Sequence, residues 1–192
     1  MFIHPSAEVE AGAVIGEGTK VWHLVHIRRD AHLGGECVIG RGVFIDAGVQ
    51  IGIIDAGVQI GNRVKIQNYV SVFHGVKIED GVFVGPHVCF TNDMFPRAIN
   101  PDGSLKAPDD WVLSETLVKT GAAIGANSTI VCGITIGRWA MIGSGTVVTK
   151  DVTVVTKDVP DYALVVGNPG KIIGWVTASG KRVATQEEAI AG

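Results

Sequence analysis

An aliphatic residue recurs at every sixth position, and this period constrains the fold more than any other property of the chain. Leu33, Ile39, Ile45 and Ile51 are followed by Ile60, Ile66, Val72, Ile78, Val84 and Phe90. Four residues after most anchors stands a small or β-branched residue: Cys37, Val43, Val49, Val64, Val70, Val76, Val82 and Val88. The position just after an anchor is often Gly or Asp, as at Gly34, Gly40, Asp46, Gly52, Gly61 and Gly85. A period of six with two inward positions matches neither the 3.6-residue helix nor a long alternating strand. It matches short strands separated by corners, each hexad forming one side of a coil. Such coils bury their apolar side only against one another, which predicts an all-β solenoid.

The same register extends back through Ile3, Val9, Ile15, Val21 and Ile27, with Ala7, Ala13, Thr19, Val25 and Ala31 as the second inward set. It resumes at Val118, Ile124, Ile130, Ile136, Ile142 and Val148. Between the two runs lie residues 91–117, rich in Asn, Asp and Pro. A loop of this length inside a compact domain is usually functional or disordered. Its apolar Met94, Phe95, Ile99, Trp111 and Leu113 need partners, which favours a functional arm. One hexad carries Trp22, His23 and His26 where others carry Gly and Glu, and these three should point outward. The pattern breaks at Pro160, turn residues follow at 166–171, and 172–176 is apolar. The organisation read from this is a repeat domain over 1–176 and a tail or short helix over 177–192.

Two near-verbatim copies interrupt the period. Residues 53–61 repeat 44–52, and 153–159 repeat 146–152. Nine and seven are not multiples of six, so each copy must be absorbed locally as a bulge or loop; a slip of register would turn apolar anchors outward. No function is assigned to either copy.

The chain has 192 residues, 46% of them hydrophobic, enough for one well-buried domain. A net charge of −3 gives no electrostatic case for nucleic acid or a membrane surface. No apolar run is long enough to span a bilayer, and the first ten residues lack the basic-then-apolar layout of a signal peptide. Three Cys without a CxxC pair, one of them at an inward position, suggest a reduced cytoplasmic protein.

Several motifs resemble one family over nearly the whole chain. They are Trp22-His23-Leu24-Val25-His26, Lys65-Ile66-Gln67-Asn68, Gly85-Pro86 with Phe90-Thr91-Asn92, and Pro96-Arg97. Leu117-Val118-Lys119, Gly125-Ala126-Asn127, Thr129-Ile130-Val131-Cys132-Gly133 and Val166-Gly167-Asn168-Pro169 complete the set. The sequence resembles the left-handed parallel β-helix hexapeptide acyltransferases. Within them it is most similar to the nucleotide-3-amino-sugar N-acetyltransferases, which act on UDP-2-acetamido-3-amino-2,3-dideoxyglucuronate or dTDP-3-amino-3,6-dideoxyhexoses. The residues themselves predict the protruding loop over 91–117 and a short C-terminal helix over 184–191. The resemblance implies a homotrimer, acetyl-CoA as co-substrate without a metal, and a nucleotide-sugar substrate for surface polysaccharide of the O-antigen or lipopolysaccharide type. It places acetyl-CoA along the C-terminal coils at Gly125, Ala126, Asn127, Gly143, Ser144, Asn168, Pro169 and Lys171. The competing reading of that set is ordinary corners and a turn, which Gly, Asn and Pro serve equally well.

The chemistry is attack of a sugar amine on a thioester, which needs an unprotonated amine, alignment and a donor for the developing oxyanion. His74 is the best base by residue type and position, at an outward corner on the coil leading into the arm. The family commonly has Asp or Glu there, so His74 departs from its pattern, and a surface histidine is the alternative. Asn92 falls where the family has its active-site Asn and could orient the amine or the thioester oxygen; otherwise it closes a turn. Asp93 could bind or deprotonate the amine, or cap that turn. Gln67 and Asn68 offer amides suited to sugar hydroxyls, and Arg97 could pair with a pyrophosphate or a uronate. His23 and His26 are open to substrate stacking or to packing.

Three other functions compete. A zinc γ-type carbonic anhydrase needs three converging His, but none follows His87. An O-acetyltransferase would make more use of a His base. A silent hexapeptide assembly module would have no need of the acetyl-CoA-like segments.

Overall fold

A computed structural model describes residues 1–48, 58–107, 110–149 and 158–192. A typical hexad contributes a two-residue strand with its outward residue first and its anchor second, as in Lys65–Ile66, Ser71–Val72 and Phe83–Val84. The neighbour of each strand is the third one along the chain. Lys65–Ile66 lies parallel to Val38–Ile39 on one side and to Phe83–Val84 on the other. Three strands therefore make one coil, and the coils stack into three parallel sheets, the faces of a left-handed parallel β-helix. Face I rises from Phe2–Ile3 to Ala163–Val166, face II from Glu8–Val9 to Val147–Val148, and face III from Val14–Ile15 to Thr135–Ile136.

Both inward sets fill the axis. Among the described residues, anchors from Val21 to Ile142 are almost wholly buried, and so are Val25, Cys37, Val43, Val64 and Val70 of the second set; Val49 and Ile51 lie outside the described residues. Side chains from successive coils meet there about 4.8 Å apart, the spacing of hydrogen-bonded strands, so each coil supplies the apolar floor of the next. Ile3 is 38% exposed because no coil lies beneath it.

The corners share one backbone device. The residue three positions after the anchor takes a left-handed φ, whether it is Gly42, Gly75 or Gly121 or a side-chain-bearing residue such as Tyr69, His87, Asn127 or Trp139. A left-handed L-residue costs roughly 1–2 kcal/mol. What offsets it is a hydrogen bond back to the coil below: the N–H of Tyr69 donates to the Arg41 carbonyl at 2.8 Å, and that of Asn127 to Pro86 at 2.9 Å. The strand N–H groups donate to the coil above, as Lys65 does to Val82 at 2.9 Å, so the two ladders tie each coil in both directions.

The chain leaves face II at Phe90 and re-enters face III on Thr116–Val118. Thr116 and Leu117 thus belong to the sheet, and the arm comprises residues 91–115. At its root Asp93 bridges Leu113, and farther out Ile99 bridges Leu105. The nine extra residues fall between the same two faces. Face II is left at Ile45, and face III resumes with Gln59–Ile60, where His32 faces Gln59 and Leu33 faces Ile60. Thirteen residues stand where an ordinary corner has four, yet the faces on either side keep their register. The second copy supplies the strand; residues 49–57 lie outside the described residues. The seven-residue copy is similar, for Val159 pairs with Ile136 on face III while residues 150–157 are outside the description.

Above the last coil the chain turns back. Lys171–Val176 pairs antiparallel with Ala163–Val166, and Arg182–Val183 adds to its outer side. A single helical turn and a half, Gln186–Ala191, follows. The Thr185 hydroxyl accepts from the Glu188 N–H, and the Glu188 carboxylate accepts from the Ala184 N–H, which closes its N-terminus.

Candidate active site

All three departures from the six-residue period fall between a face II strand and the next pairing on face III, and His74 stands on that II–III edge between two of them. His74 follows Ser71–Val72 of face II, one coil above Asp46 and one coil below Asn92 and Asp93. The half-buried His74 ring places Nδ1 3.0 Å from the Ala47 carbonyl oxygen. A carbonyl can only accept, so Nδ1 carries the hydrogen, and Nε2 is the lone-pair nitrogen of the neutral ring. Among the described residues Nε2 has no hydrogen-bond partner.

Beneath His74 runs a ladder of charge that the residue-by-residue reading did not single out. Glu10, Arg28 and Asp46 occupy the same corner position in three successive coils, 18 residues apart. Arg28 donates to Asp46 Oδ1 at 2.8 Å and lies 3.5 Å from Glu10 Oε1, which also meets His26 Nε2 at 2.9 Å. The Arg29 N–H donates to the other Glu10 oxygen at 2.9 Å. That bond, followed by the one from His26, holds the Glu10 carboxyl below the usual glutamate range. Asp46 Oδ1 also accepts from the Ala47 N–H at 2.8 Å, and Oδ2 from the His74 N–H at 3.3 Å. The signal available in the sequence was the alternation of sign at one-coil spacing, at positions where other corners carry Gly.

Asn92 and Asp93 open the arm. The Asn92 carbonyl accepts from the Ser114 N–H at 3.1 Å, while its carboxamide makes no hydrogen bond among the described residues and stays available to a ligand. Asp93 Oδ1 accepts from the Phe95 N–H at 2.8 Å, a turn-capping contact that occupies one carboxylate oxygen. Arg97 is exposed and bonds only the Pro96 carbonyl, at 3.0 Å, among the described residues. The outer arm is knotted to itself: Asp110 Oδ2 accepts from Asn100 at 2.9 Å and from the Ala107 N–H at 2.7 Å. Phe95 and Leu105 remain about four-fifths exposed.

The other candidates sit on the I–II edge. Gln67, Asn68, Trp22 and His23 line one groove of about 290 Å³ together with Arg41. Asn68 Oδ1 is spent on the Arg41 N–H at 2.9 Å, leaving its NH₂ for a ligand. His23 lies over His4 with ring centroids 3.7 Å apart. His26, by contrast, is on face II against Phe44 and paired with Glu10. Gly125, Ala126, Asn127, Gly143 and Ser144 continue up the I–II edge. A β-carbon on Gly125 would come 2.4 Å from the Ser144 nitrogen, so close stacking of coils already requires that glycine. Asn127 and Ser144 are exposed. Asn168 and Pro169 form an exposed cis turn at the top of face I, and the exposed Lys171 follows it. The base candidates and the acetyl-CoA candidates therefore lie on opposite edges of face II and do not meet within one chain.

Cys37 and Cys89 supply no activated nucleophile, since burial pushes their thiols above the ordinary range; Cys132 is buried. Among the described residues no three His, Cys, Asp or Glu side chains converge as a metal site would require.

Six-residue coils of this form, with one arm, define a hexapeptide-repeat transferase. Residues 57–92 match the bacterial transferase hexapeptide family (six repeats), and residues 121–150 match the hexapeptide repeat of succinyl-transferase. The dTDP-3-amino-3,6-dideoxy-alpha-D-galactopyranose 3-N-acetyltransferase of Aneurinibacillus thermoaerophilus is 43% identical over 91% of this chain and 78% of its own length. The chain belongs to the family of hexapeptide-repeat sugar N-acetyltransferases that this enzyme represents. Solved structures that share the fold include two with bound ligands. One is a hexapeptide-repeat acetyltransferase of Vibrio cholerae with bound acetyl-CoA, at TM-score 0.52 and 19% identity over 83% of this chain and 71% of that one. The other is the GDP-perosamine N-acetyltransferase of Caulobacter crescentus, a histidine-to-alanine variant holding CoA and GDP-perosamine. It superposes at TM-score 0.50 and 22% identity over 90% of this chain and 55% of that one.

Proposed function

We propose that this protein transfers the acetyl group of acetyl-CoA to the 3-amino group of a nucleotide-linked 3-amino-3-deoxy sugar, in the biosynthesis of a surface polysaccharide of the lipopolysaccharide type. The observation that carries the reading is the 43% identity, over 91% of the chain, to an enzyme of that activity. His74 Nε2 is the acceptor for the amine proton. The Asn92 carboxamide, without a hydrogen bond among the described residues and one coil above, orients the amine or the thioester oxygen. As the nitrogen–carbon bond forms and the carbon–sulfur bond breaks, the amine proton passes to His74 and the CoA sulfur leaves as thiolate, to be protonated in turn.

The placement of the two candidate sets on opposite edges supports a homotrimer, in which the I–II edge of one copy faces the II–III edge of the next. Exposed Phe95 and Leu105 on the arm give such a neighbour an apolar contact. Acetyl-CoA then runs along Asn127 and Ser144, with Lys171 near its phosphates, while Gln67, Asn68 and Arg97 meet the sugar nucleotide. Its substrates being metabolites of the cytoplasm, the protein works there. The test is thiol release from acetyl-CoA with a panel of UDP- and dTDP-linked 3-amino sugars. Turnover with at least one is expected, and no release with any sinks the reading.

A further inference from the structure

The contacts of the ladder under His74 are with the protein itself: both oxygens of Glu10 and of Asp46, and Nε and Nη1 of Arg28, face other protein groups. Asp46 is the informative member. Its side chain is only 17% exposed, and a carboxylate so covered needs cationic or N–H partners. It has three: Arg28 Nη1 and the backbone N–H groups of Ala47 and His74. Two of these three belong to the residue whose carbonyl meets the His74 ring and to His74 itself.

We infer that Asp46, clamped from the coil below by Arg28, is a positioning residue that holds the Ala47 carbonyl against His74 Nδ1. It thereby fixes the neutral imidazole as the Nδ1–H tautomer, with the lone pair on Nε2. Asp46 and Ala47 open the connection of thirteen residues between Ile45 and Gln59, and the Ala47–Gly48 peptide is tied to the coil below by the Gly48 N–H, which donates to the Arg29 carbonyl at 3.0 Å. Asp46 adds the link to the coil above. Oδ1 fixes the N–H side of residue 47, Oδ2 fixes the backbone of residue 74, and the carbonyl and the imidazole are brought to 3.0 Å. Arg28 prevents Asp46 from rotating away, and Glu10 holds Arg28 from one coil farther down. The Nε2–H tautomer would set a lone pair on Nδ1 against the lone pairs of the Ala47 oxygen and leave no basic nitrogen on the free side of the ring. The inference rests on the reading of His74 as the base, but the tautomer is measurable without turnover.

The experiment uses the full chain labelled with ¹⁵N-histidine at a pH where the ring is neutral, with the His74 signals assigned by their loss in His74→Gln. A pyrrole-type Nδ1 and a pyridine-type Nε2 are expected; the opposite pattern overturns the inference. In Asp46→Asn the two tautomers should become mixed. There kcat should fall by roughly ten- to a hundredfold, the range for loss of a group that orients a reacting histidine, with KM for acetyl-CoA changed less than twofold. If Asp46→Asn fails to fold by circular dichroism, Arg28→Met leaves Asp46 in place without its clamp and should shift the same signals in the same direction. A tautomer unchanged in every folded variant overturns the inference whatever happens to kcat. A shifted tautomer with unchanged kcat upholds the ladder and removes His74 as base.

Discussion

Leu113 of the arm lies directly over Gly75: a β-carbon at residue 75 would come 2.8 Å from the Leu113 Cδ1 atom. Gly75 also has a φ of +88°, and its carbonyl accepts the Thr116 N–H at 3.0 Å as the arm returns to the sheet. The arm is thus seated on the residue next to His74, so its position and that of the candidate base are linked.

Gly75→Ala should lower stability by about 1–2 kcal/mol from the left-handed backbone alone, and reduce kcat because Leu113 is displaced. Leu113→Ala should restore room without relieving the backbone. The double variant is therefore expected to recover activity more than stability, as read by kcat and by urea unfolding.

His74→Ala should slow acetyl transfer by roughly a hundredfold or more at neutral pH, the range for a lost general base. The deficit should shrink as pH rises, because the sugar amine then sheds its proton to solvent. A pH profile of kcat/KM decides it. An unchanged rate at neutral pH would mean that the amine needs only alignment.

Glu79 accepts from both the N–H and the hydroxyl of Thr120, at 2.8 and 2.7 Å, and the hydroxyl is the foremost reason its carboxyl lies below the glutamate reference. A carboxyl depressed in the folded state adds stability that is complete above the unfolded pKa and is lost as pH falls through the folded one. Melting temperature should therefore drop below a pH of about 4.5. Glu79→Gln should make that drop shallower, and a slope equal to wild type would contradict the assignment.

Gly125 and Asn127 separate packing from binding on the I–II edge. Gly125→Ala drives a β-carbon into the Ser144 backbone and should cost on the order of 1–3 kcal/mol, with acetyl-CoA affinity falling only as the fold fails. Asn127→Gly keeps the left-handed corner, with φ +57° in the parent, and removes only an exposed side chain. It should melt within a few degrees of wild type while KM for acetyl-CoA rises; an unchanged KM takes Asn127 out of the site.

Deleting residues 53–61 leaves Gln50 and Ile51 where Gln59 and Ile60 now pair with His32 and Leu33. The chain then crosses the corner in four residues instead of thirteen, and loop closure becomes easier by about 1 kcal/mol. A higher melting temperature with an intact β spectrum is expected. An unfolded product would show that the two copies are not interchangeable in the sheet.

The path from sequence to fold was short because each hexad repeats one local problem. Ile66, Val72 and Val84 could be placed inside from spacing alone, and the sheet bears this out. The arm was visible as a gap in the period, although Thr116 and Leu117 rejoined the sheet sooner than their residue types suggested. The site was less legible, since spacing says which residues point outward but not which edge they share. Gln67 and His74 are seven residues apart in sequence yet lie on different edges. Glu10, Arg28 and Asp46 are 36 residues from end to end and form one continuous line of contacts. A corner glutamate reads as a solvated charge until the coil above it is known.

The concentration of every insertion on the II–III edge has an evolutionary consequence. Faces I and II, and the two edges that flank face I, are locked by coil-to-coil contacts such as that of Gly125 on the Ser144 backbone, so a change of length there would propagate through the stack. At the II–III edge the chain has been lengthened at Ile45, at Phe90 and at Val148 while the strands on either side kept their partners. That edge works as a splice line. Arms of different length and chemistry can be exchanged along it, coil by coil, to present new surfaces to a substrate while the apolar axis that folds the protein stays the same.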